Sequence, residues 1–448
     1  MAECKDFTQG SVLGHIWALS MPTMIAFALQ MSYNIVDTIF VGRLGVEAIA
    51  AVSMVFPVMI LIIALGAGTG IGASSLVARY IGGKKLGEAG RVAEHAILIS
   101  LFFSVVLALA GSFFARPLFV LMGATPSVLS LSIVYNRWIV GFCSFVFVFL
   151  TLSNILRGEG DAKTPMKYMI VSALINVVLD PLLIFGLWFF PRLGVEGAAI
   201  ATVISQGVGC AFLLVHVFSG KSLIKLAFGS FRYSFDIVKS IFSVGIPASL
   251  SHIVMSIGLV FLTRITASFG PAAIAAYGIG YKLESIPFHF AIGIAIAVVT
   301  LVGHNFGAGN VKRAKKVAWV ATVLSMVVTA VIGLVFFLIP GVWMRVFTND
   351  TLVIGYGVSL IRIVSLFFAF TSLGITIEGA FQGFGRGMPK LLLTLLRLGV
   401  LAVPLAYLLS KSFGLVGVWY GIAIAYCVSG LVAALWFRLS SFEKSKVL

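Results

Sequence analysis

The stretch VAWVATVLSMVVTAVIGLVFFLIP, residues 317–340, decides the fold, because it is a long apolar run without a single charged residue. As a helix rising about 1.5 Å per residue, it is long enough to cross the roughly 30 Å hydrocarbon core of a bilayer. The rest of the chain has the same character, since 60% of its 448 residues are hydrophobic and only 10% are charged. A soluble domain carries about 25% charged residues. We therefore predict an all-α integral membrane protein with no appended soluble domain.

Apolar runs bounded by charges, glycine or proline divide the chain into about twelve transmembrane helices. The predicted spans are 13–41, 46–78, 92–115, 127–156, 166–190, 194–218, 237–266, 272–303, 316–340, 352–381, 389–410 and 414–437. Few residues precede the first run, and Glu3 and Asp6 dilute the positive charge that a secretory signal requires. We therefore expect the first span to be retained.

Basic residues concentrate on one side of these spans. Lys and Arg number 21 at the termini and in the loops after even-numbered spans, against six in the loops after odd-numbered spans. The positive-inside rule therefore predicts that both termini are cytoplasmic. The net charge of +16 then faces the cytosol and anionic membrane lipids, and no basic helix with an aromatic platform points to nucleic acid. We expect a monomeric, multi-pass protein of the cell membrane.

The sequence gives no sign of catalysis or of a bound cofactor. The four cysteines are scattered without a CxxC spacing, which argues against both disulfides and a zinc site. Neither a catalytic dyad nor a metal-binding motif nor a repeated filter loop occurs in the sequence. We therefore expect a protein that is not an enzyme or a channel and that needs no cofactor.

The two halves of the sequence match each other after a shift of about 225 residues, which we call the duplication shift. It places Pro22 on Pro247, and it aligns LRGEG at 156–160 with FQGFG at 381–385. Each half contains six predicted spans, and an even number gives both halves the same orientation in the membrane. They are then related by a pseudo-two-fold axis along the membrane normal.

The duplication predicts two six-helix lobes, an N-lobe of residues 1–220 and a C-lobe of residues 221–448. Two such lobes would enclose a central cleft, which is the arrangement of an alternating-access carrier. A duplicated bundle without transport activity is the alternative. Polar residues at depth favour the carrier, because large two-lobed membrane bundles with such residues usually move a solute.

Ionisable residues inside spans are functional candidates, because a charge near the bilayer centre costs at least about 2.5–3.5 kcal/mol. Arg137 and Arg362 recur at equivalent positions of the two halves, and we interpret them as scaffold residues that cap carbonyls or pair with neighbours. Lys282 and Glu284 are two residues apart and do not face each other, so each needs another partner, which for Glu284 could be Arg137 or Arg362. Glu378 lies near the cytoplasmic end of its span and is expected at the interface.

Four polar positions of the first half are apolar in the second half. The pairs are Asp37 with Leu262, Asn176 with Leu401 or Val400, Asp180 with Leu405 or Pro404, and Thr202 with Ile422. A residue that the scaffold needs should recur in both halves, whereas a residue that serves a unique chemistry need not. The asymmetry therefore predicts a polar pocket in the N-lobe only.

The spacing of these polar residues suggests that they share one cavity. Tyr33 and Asp37 are four residues apart on span one, as are Asn176 and Asp180 on span five, so each pair lies on one helix face. Helix geometry places Asp180 and Thr202 at similar depths below the outer surface. Poorly solvated carboxylates could carry a proton, and the same oxygens suit Na⁺. The alternative is that the aspartates bond only to backbone groups or to arginine.

Pro22 lies on the same predicted span as Asp37, fifteen residues earlier. Proline cannot donate a backbone hydrogen bond inside a helix, so span one is expected to bend there. Such a bend can serve as a hinge. Pro247 repeats the feature in span seven, and the alternative is therefore a fixed structural bend in both halves.

Six short motifs are spread over essentially the whole chain. They are SMP at 20–22, YNIVDTIFVG at 33–42, LRGEGD at 156–161, NVVLDP at 176–181, GAAIAT at 197–202 and GAGN at 307–310. In this order and at this spacing they resemble the multidrug and toxic compound extrusion (MATE) transporters. The sequence is most similar to the DinF-like branch, because the acidic residues that the NorM-like branch carries in spans seven and ten fall near Met255 and Thr371.

The resemblance implies a twelve-helix, two-lobed exporter that exchanges an organic cation or another drug-like amphiphile for inward Na⁺ or H⁺. It also implies an N-lobe ion site, and the matching positions here are Asp37, Asn176, Asp180 and Thr202, with Tyr33 and Asn34 nearby. Which of the two ions is coupled stays open at this point, as does the identity of the substrate.

A flippase of lipid-linked oligosaccharide, or of a related lipid, is the competing function within the same superfamily. A flippase needs a cationic cavity for a pyrophosphate group. The basic residues available at depth are Arg137, Lys282, Arg362 and Arg397. The placement of these four side chains therefore bears on the choice between drug export and lipid flipping.

Overall fold

The computed structural model describes residues 6–442, except for the side chains of residues 34, 35 and 230. Within this range the chain forms helices and no strand. Helices are favoured because a backbone inside hydrocarbon must satisfy its own hydrogen bonds. The α-helices are α1 (Val12–Gly42), α2 (Val46–Gly82), α3 (Leu86–Phe113), α4 (Ala115–Leu121), α5 (Pro126–Gly141), α6 (Cys143–Glu159), α7 (Lys163–Phe185), α8 (Val195–Phe218), α9 (Phe235–Ala267), α10 (Pro271–Gly307), α11 (Val311–Leu338), α12 (Pro340–Arg345), α13 (Thr351–Val364), α14 (Phe368–Gly383), α15 (Met388–Thr394), α16 (Val403–Phe413) and α17 (Leu415–Leu439).

Eleven helical stretches of the described residues are long and apolar enough to cross a membrane, and α5 with α6 forms a twelfth that is bent by 44°. Two of the eleven are composite. A 3₁₀ turn, Ser365–Phe367, joins α13 to α14, and a π-helical segment, Leu395–Ala402, joins α15 to α16. The prediction of an all-α membrane protein with about twelve transmembrane helices is confirmed.

Exposed apolar side chains form matching stripes on α3 and α11. On α11 the stripe consists of Val323, Val327, Val331, Leu334 and Leu338, and on α3 it consists of Leu98, Phe102, Val106, Leu109 and Phe113. Exposed apolar surface of this extent indicates contact with lipid. The duplication shift places each member of the α3 stripe on its counterpart in the α11 stripe, so the duplication extends to the lipid-facing surface.

The chain divides into two compact units. Residues Ile25–Ser249 make up most of the first unit, and Phe7–Met24 belongs to the second unit together with the described residues from Leu250 onward. The change of unit therefore falls inside α1, directly after Met24, and inside α9, directly after Ser249. These points lie two residues beyond the two intrahelical prolines of α1 and α9. The predicted lobes, 1–220 and 221–448, stay a prediction.

Candidate functional site

Two aspartates of the predicted ion site lie together in the first unit. Asp37 on α1 and Asp180 on α7 bring their carboxyl groups within hydrogen-bonding reach of each other. Asp180 is fully buried and Asp37 is partly buried. Asn176 lies one turn before Asp180, and its Nδ2 donates a hydrogen bond of 3.4 Å to Asp180 Oδ1. The three side chains form one polar cluster, which we call the aspartate cluster.

Two tyrosines adjoin the aspartate cluster. Tyr33 lies one turn before Asp37 on α1 and interacts electrostatically with both aspartates. Tyr135 on α5 is only 2% exposed and interacts with the same two aspartates and with Tyr33. Our sequence reasoning missed Tyr135. The duplication shift places it on Leu360, so the asymmetry between the halves would have revealed it.

The packing of α7 against α8 determines which part of α7 lies beside Thr202. A Cβ atom on Gly197 would lie 2.5 Å from the Leu183 carbonyl oxygen, so the two helices almost touch there. A second contact shows that the two helices run antiparallel: the hydroxyl group of Ser172, which precedes Leu183 on α7, donates a hydrogen bond to the carbonyl oxygen of Ser205, which follows Gly197 on α8. Thr202 follows Gly197 by five residues and is therefore level with the stretch between Asn176 and Asp180. Its side chain is 8% exposed.

Three oxygen atoms of the aspartate cluster accept no hydrogen bond within the part of the chain that the structure describes. They are Asp37 Oδ1, Asn176 Oδ1 and Asp180 Oδ2. Leaving a buried acceptor without a donor costs roughly 1–3 kcal/mol. A proton or a bound cation would remove this cost, and carboxylate and amide oxygens are the ligands that hard cations prefer.

The equivalent positions of the second unit form an apolar core. Leu262, Leu360, Leu401 and Ile422 take the places of Asp37, Tyr135, Asn176 and Thr202, and all four belong to one cluster of packed side chains. The same fold therefore forms in the second unit with apolar residues at these positions. The polar residues of the first unit are therefore not required by the fold itself, which makes them functional candidates.

The predicted deep charges occupy different environments. Arg137 on α5, Lys282 on α10 and Arg362 on α13 are exposed. Glu284 on α10 is partly buried, and its Oε1 accepts a hydrogen bond from the Tyr426 hydroxyl group. The capping or pairing of the two arginines stays a prediction.

Each of the two deep glutamates has a basic neighbour within the second unit. Glu284 interacts electrostatically with Arg397, whereas the sequence had suggested Arg137 or Arg362. Glu378 is 5% exposed and interacts with Arg397 and Lys390, and its position at the membrane interface stays a prediction. Glu378 is buried because α14, which carries it, is enclosed by α10, α11 and α17 within its unit.

Pro22 lies inside α1, which is helical from Val12 to Gly42. A hinge at Pro22 stays a prediction. The side chain of Asn34, which the family resemblance placed near the ion site, lies outside the described residues.

A duplicated bundle of membrane-spanning helices with a buried polar cluster in one unit is the architecture of a membrane transporter. The family profile described as MatE matches residues 22–182 and again residues 247–408. The two matches begin at Pro22 and Pro247, the same pair that the duplication shift aligns, which confirms the internal duplication. The chain therefore belongs to the MatE family, and the predicted resemblance to the MATE transporters is confirmed. Members of this family are transporters rather than enzymes.

Similar proteins cover nearly the whole chain. "Probable multidrug resistance protein NorM" of Thermotoga maritima is 28% identical over 96% of this chain and 93% of its own length. "FAD transporter" of Shewanella oneidensis is 32% identical over 92% of this chain and 91% of its own. A solved structure titled "Outward-facing conformation of a multidrug resistance MATE family transporter of the MOP superfamily" is 32% identical, with a TM-score of 0.94 over 99% of this chain and 100% of that chain. The assignment to the DinF-like branch stays a prediction.

Proposed function

We propose that this protein exports amphiphilic or cationic drug-like molecules across the cell membrane, and that inward movement of H⁺ or Na⁺ through the aspartate cluster drives the export. The observation that carries the proposal is the set of three buried oxygens without donors, on residues that the duplicated fold replaces by apolar side chains. The names of similar proteins, several of which are called multidrug resistance or export proteins, support the choice of substrate.

The two aspartates explain how one ion could be bound and released. Two ionised carboxylates within hydrogen-bonding reach of each other repel. The cluster is therefore stabilised when one proton is shared between Asp37 and Asp180 or when one Na⁺ lies between them. The amide oxygen of Asn176 and the hydroxyl group of Thr202 would complete the coordination of Na⁺. No resident cofactor is needed, since the coupling ion is itself transported.

Pro22 supplies a way to connect ion binding with a change of helix shape. It leaves the carbonyl of the preceding turn without its donor, so the helix can adopt two packings of similar energy. Neutralising Asp37 on the same helix would favour one of them. Substrate and ion would then compete if the two shapes give the N-lobe cavity different volumes.

A second candidate function is the transport of a pyrophosphate-bearing molecule, such as a flavin dinucleotide or a lipid-linked oligosaccharide. Exposed Arg137, Lys282 and Arg362 on membrane-spanning helices favour it, because a phosphate group needs accessible basic side chains. One similar protein carries the name FAD transporter. The two functions differ in the charge of the substrate and are therefore separable by experiment.

The test uses the purified protein in vesicles with an imposed pH gradient or an imposed Na⁺ gradient. We expect ethidium to move against its own gradient when one of the two ion gradients is present, and Asp37→Asn to abolish this movement. Movement of a flavin dinucleotide but not of ethidium would favour the second candidate. Movement of ethidium that depends on neither gradient would contradict ion coupling. A single-particle mass measurement in the same vesicles tests whether the protein is a monomer.

A further inference from the structure

One face of α11 changes along its length from basic to aromatic to aliphatic. Lys312 and Lys316 lie in its first two turns and are exposed, and Trp319 follows one turn later and is half-buried. The apolar stripe of α11 continues the same face from Val323 onward, because steps of three and four residues stay on one side of a helix. Charge, ring and hydrocarbon follow one another here as head group, interface and acyl chain do in a phospholipid.

The first turns of α11 carry an excess of positive charge. Lys312, Arg313, Lys315 and Lys316 fall within five positions, and the first turn contains no acidic residue. The amino-terminal end of a helix is itself the positive end of the helix dipole, so basic side chains are disfavoured there. A negatively charged group at this end would therefore stabilise α11.

Two of these four basic side chains contact other parts of the second unit. Arg313 Nη2 donates hydrogen bonds of 2.8 Å to the carbonyl oxygens of Gln9 and Gly10. Lys315 Nζ lies 5.5 Å from the centre of the Phe442 ring. The two exposed lysines form no ion pair with any residue that the structure describes, so their charge is available to a ligand.

The equivalent helix of the first unit, α3, balances its charge internally. The duplication shift places Lys316 on Arg91 and Arg313 on Glu88. Arg91 Nη1 and Glu88 Oε1 form an ion pair of 3.1 Å, one turn apart on α3. The same fold therefore accepts an acidic residue at a position where the second unit carries a basic one.

The chain itself covers the next turn of α3. The duplication shift places Trp319 on Glu94, whose Oε1 accepts a hydrogen bond of 2.6 Å from the backbone N–H of Ala227. The Nε2 atom of His95 accepts a hydrogen bond of 2.9 Å from the backbone N–H of Ser234. The basic and aromatic surface of α11 is thus specific to the second unit, and the duplicated scaffold does not require it.

Continuity with the apolar stripe indicates the class of ligand. A soluble anion or an acidic peptide would use only the exposed lysines. A phospholipid uses the whole face, because its phosphate group pairs with the lysines and its acyl chains lie on the stripe. Tryptophan is enriched at the level between these two parts of a lipid, which is the level of Trp319 on this face.

We propose that Lys312, Lys316 and Trp319 bind one anionic phospholipid, with its acyl chains along Val323 and Val327. We call this surface the lipid site. The predicted orientation of the chain assigns it to the cytoplasmic leaflet. The net charge of the chain attracts anionic lipids in general, whereas the lipid site holds one at a defined helix face. It depends on neither the aspartate cluster nor the identity of the transported substrate.

The test measures which phospholipid lies beside Trp319 in the full-length protein. Bilayers of phosphatidylcholine with brominated acyl chains quench tryptophan emission on contact, and subtracting the emission of Trp319→Phe isolates the signal of Trp319. Unbrominated phosphatidylglycerol or phosphatidylcholine then replaces part of the quenching lipid. We expect phosphatidylglycerol to restore the emission at about a tenfold lower mole fraction than phosphatidylcholine does.

Exchange of both lysines, Lys312→Gln with Lys316→Gln, should reduce this preference to less than about twofold. The matched control is Lys84→Gln with Lys85→Gln, which removes the same charge from exposed positions between α2 and α3 and should keep the preference. Equal recovery by both lipids in the native protein, a preference that survives exchange of both lysines, or equal losses in the two double variants would overturn the proposal.

Two further measurements on the native protein require no lysine variant. In 1 M NaCl, where the Debye length is about 3 Å, the preference should fall several-fold, and a preference unaffected by salt would contradict a charge-based site. Millimolar sn-glycerol 1-phosphate, which is the head group without acyl chains, should leave the preference unchanged. If it abolishes the preference, the ligand is a soluble phosphate and the lipid site is wrong. The measurements need no ion gradient, so they are independent of the proposed export function.

Discussion

Asp37 of α1 and Asp180 of α7 bring their carboxyl groups within hydrogen-bonding reach, and neither Asp37 Oδ1 nor Asp180 Oδ2 receives a donor from the described residues. Two acids in this position repel each other unless a proton or a cation lies between them. The pair is therefore a place where the binding of one ion changes the energy of the contact between two transmembrane helices.

Asp37→Asn and Asp180→Asn should each leave a folded, inserted protein that has lost ion coupling. The change keeps the volume of the side chain and removes the ionisable oxygen. Gradient-driven export in vesicles should fall to the background of protein-free vesicles. Asp236→Asn, the same chemical change at an exposed position at the start of α9, is the control and should keep native export. Native export by either cluster variant would refute the site.

Tyr135→Phe should lower the apparent affinity of the protein for the coupling ion without abolishing export. The hydroxyl group is buried beside both aspartates, so its loss removes a polar neighbour of the ion and leaves the packing intact. We expect the ion concentration at half-maximal export to rise about three- to tenfold. Tyr420→Phe on α17, where the ring is 43% exposed, should not shift it. Equal shifts in both variants would exclude a specific role for Tyr135.

Exchanging the residues of the two units at one position should change stability very little in the first unit and strongly in the second. Asp37→Leu places in α1 the residue that already occupies the equivalent position in the second unit, so the melting temperature should change by no more than about 3 °C. Leu262→Asp places a carboxylate in the apolar core of the second unit, where Leu262 is 4% exposed, and should lower the melting temperature by about 10 °C or more. Thermal unfolding in detergent measures both. A large loss for Asp37→Leu would mean that the aspartate is structural.

A reporter fused after Leu448 should be active only on the cytoplasmic side. The prediction rests on the distribution of Lys and Arg, with 21 on the side of the termini and six on the opposite side, because this bias sets the orientation during insertion. A fusion in the loop after α1, between Arg43 and Gly45, should report the outer side. Activity of the Leu448 fusion on the outer face alone would contradict the predicted orientation.

The fold was predictable because uncharged runs long enough for a bilayer dictate helices regardless of their neighbours. The polar asymmetry was also visible, since the duplication shift compares Asp37 with Leu262 directly. Tyr135 escaped notice because a tyrosine inside a span carries no charge penalty. The partners of Glu284 could not be predicted, because Arg397 and Tyr426 lie far from it in the sequence. In addition, no local sequence pattern indicates the π-helical segment that carries Arg397.

Pro22 lies close to the point at which α1 passes from one unit to the other. The change between the two units falls two residues after Pro22 in α1 and two residues after Pro247 in α9, so each helix carries its intrahelical proline close to the point where it passes from one unit to the other. Only α1 carries an aspartate of the ion cluster. We therefore expect Pro22→Ala to weaken coupling more than it weakens folding, and Pro247→Ala to leave coupling in place.

Spin labels at two exposed positions of the first unit, Leu29 on α1 and Leu174 on α7, provide the measurement, in a variant without the native cysteines. The distance between them should change when pH or Na⁺ is titrated, because neutralising Asp37 shifts the balance between two shapes of α1. In Pro22→Ala the change should be smaller, since the alanine restores the missing hydrogen bond and removes one of the two packings. If the distance in the protein with native Pro22 stays constant through both titrations, α1 has a single shape and Pro22 is part of the scaffold, as Pro247 is expected to be.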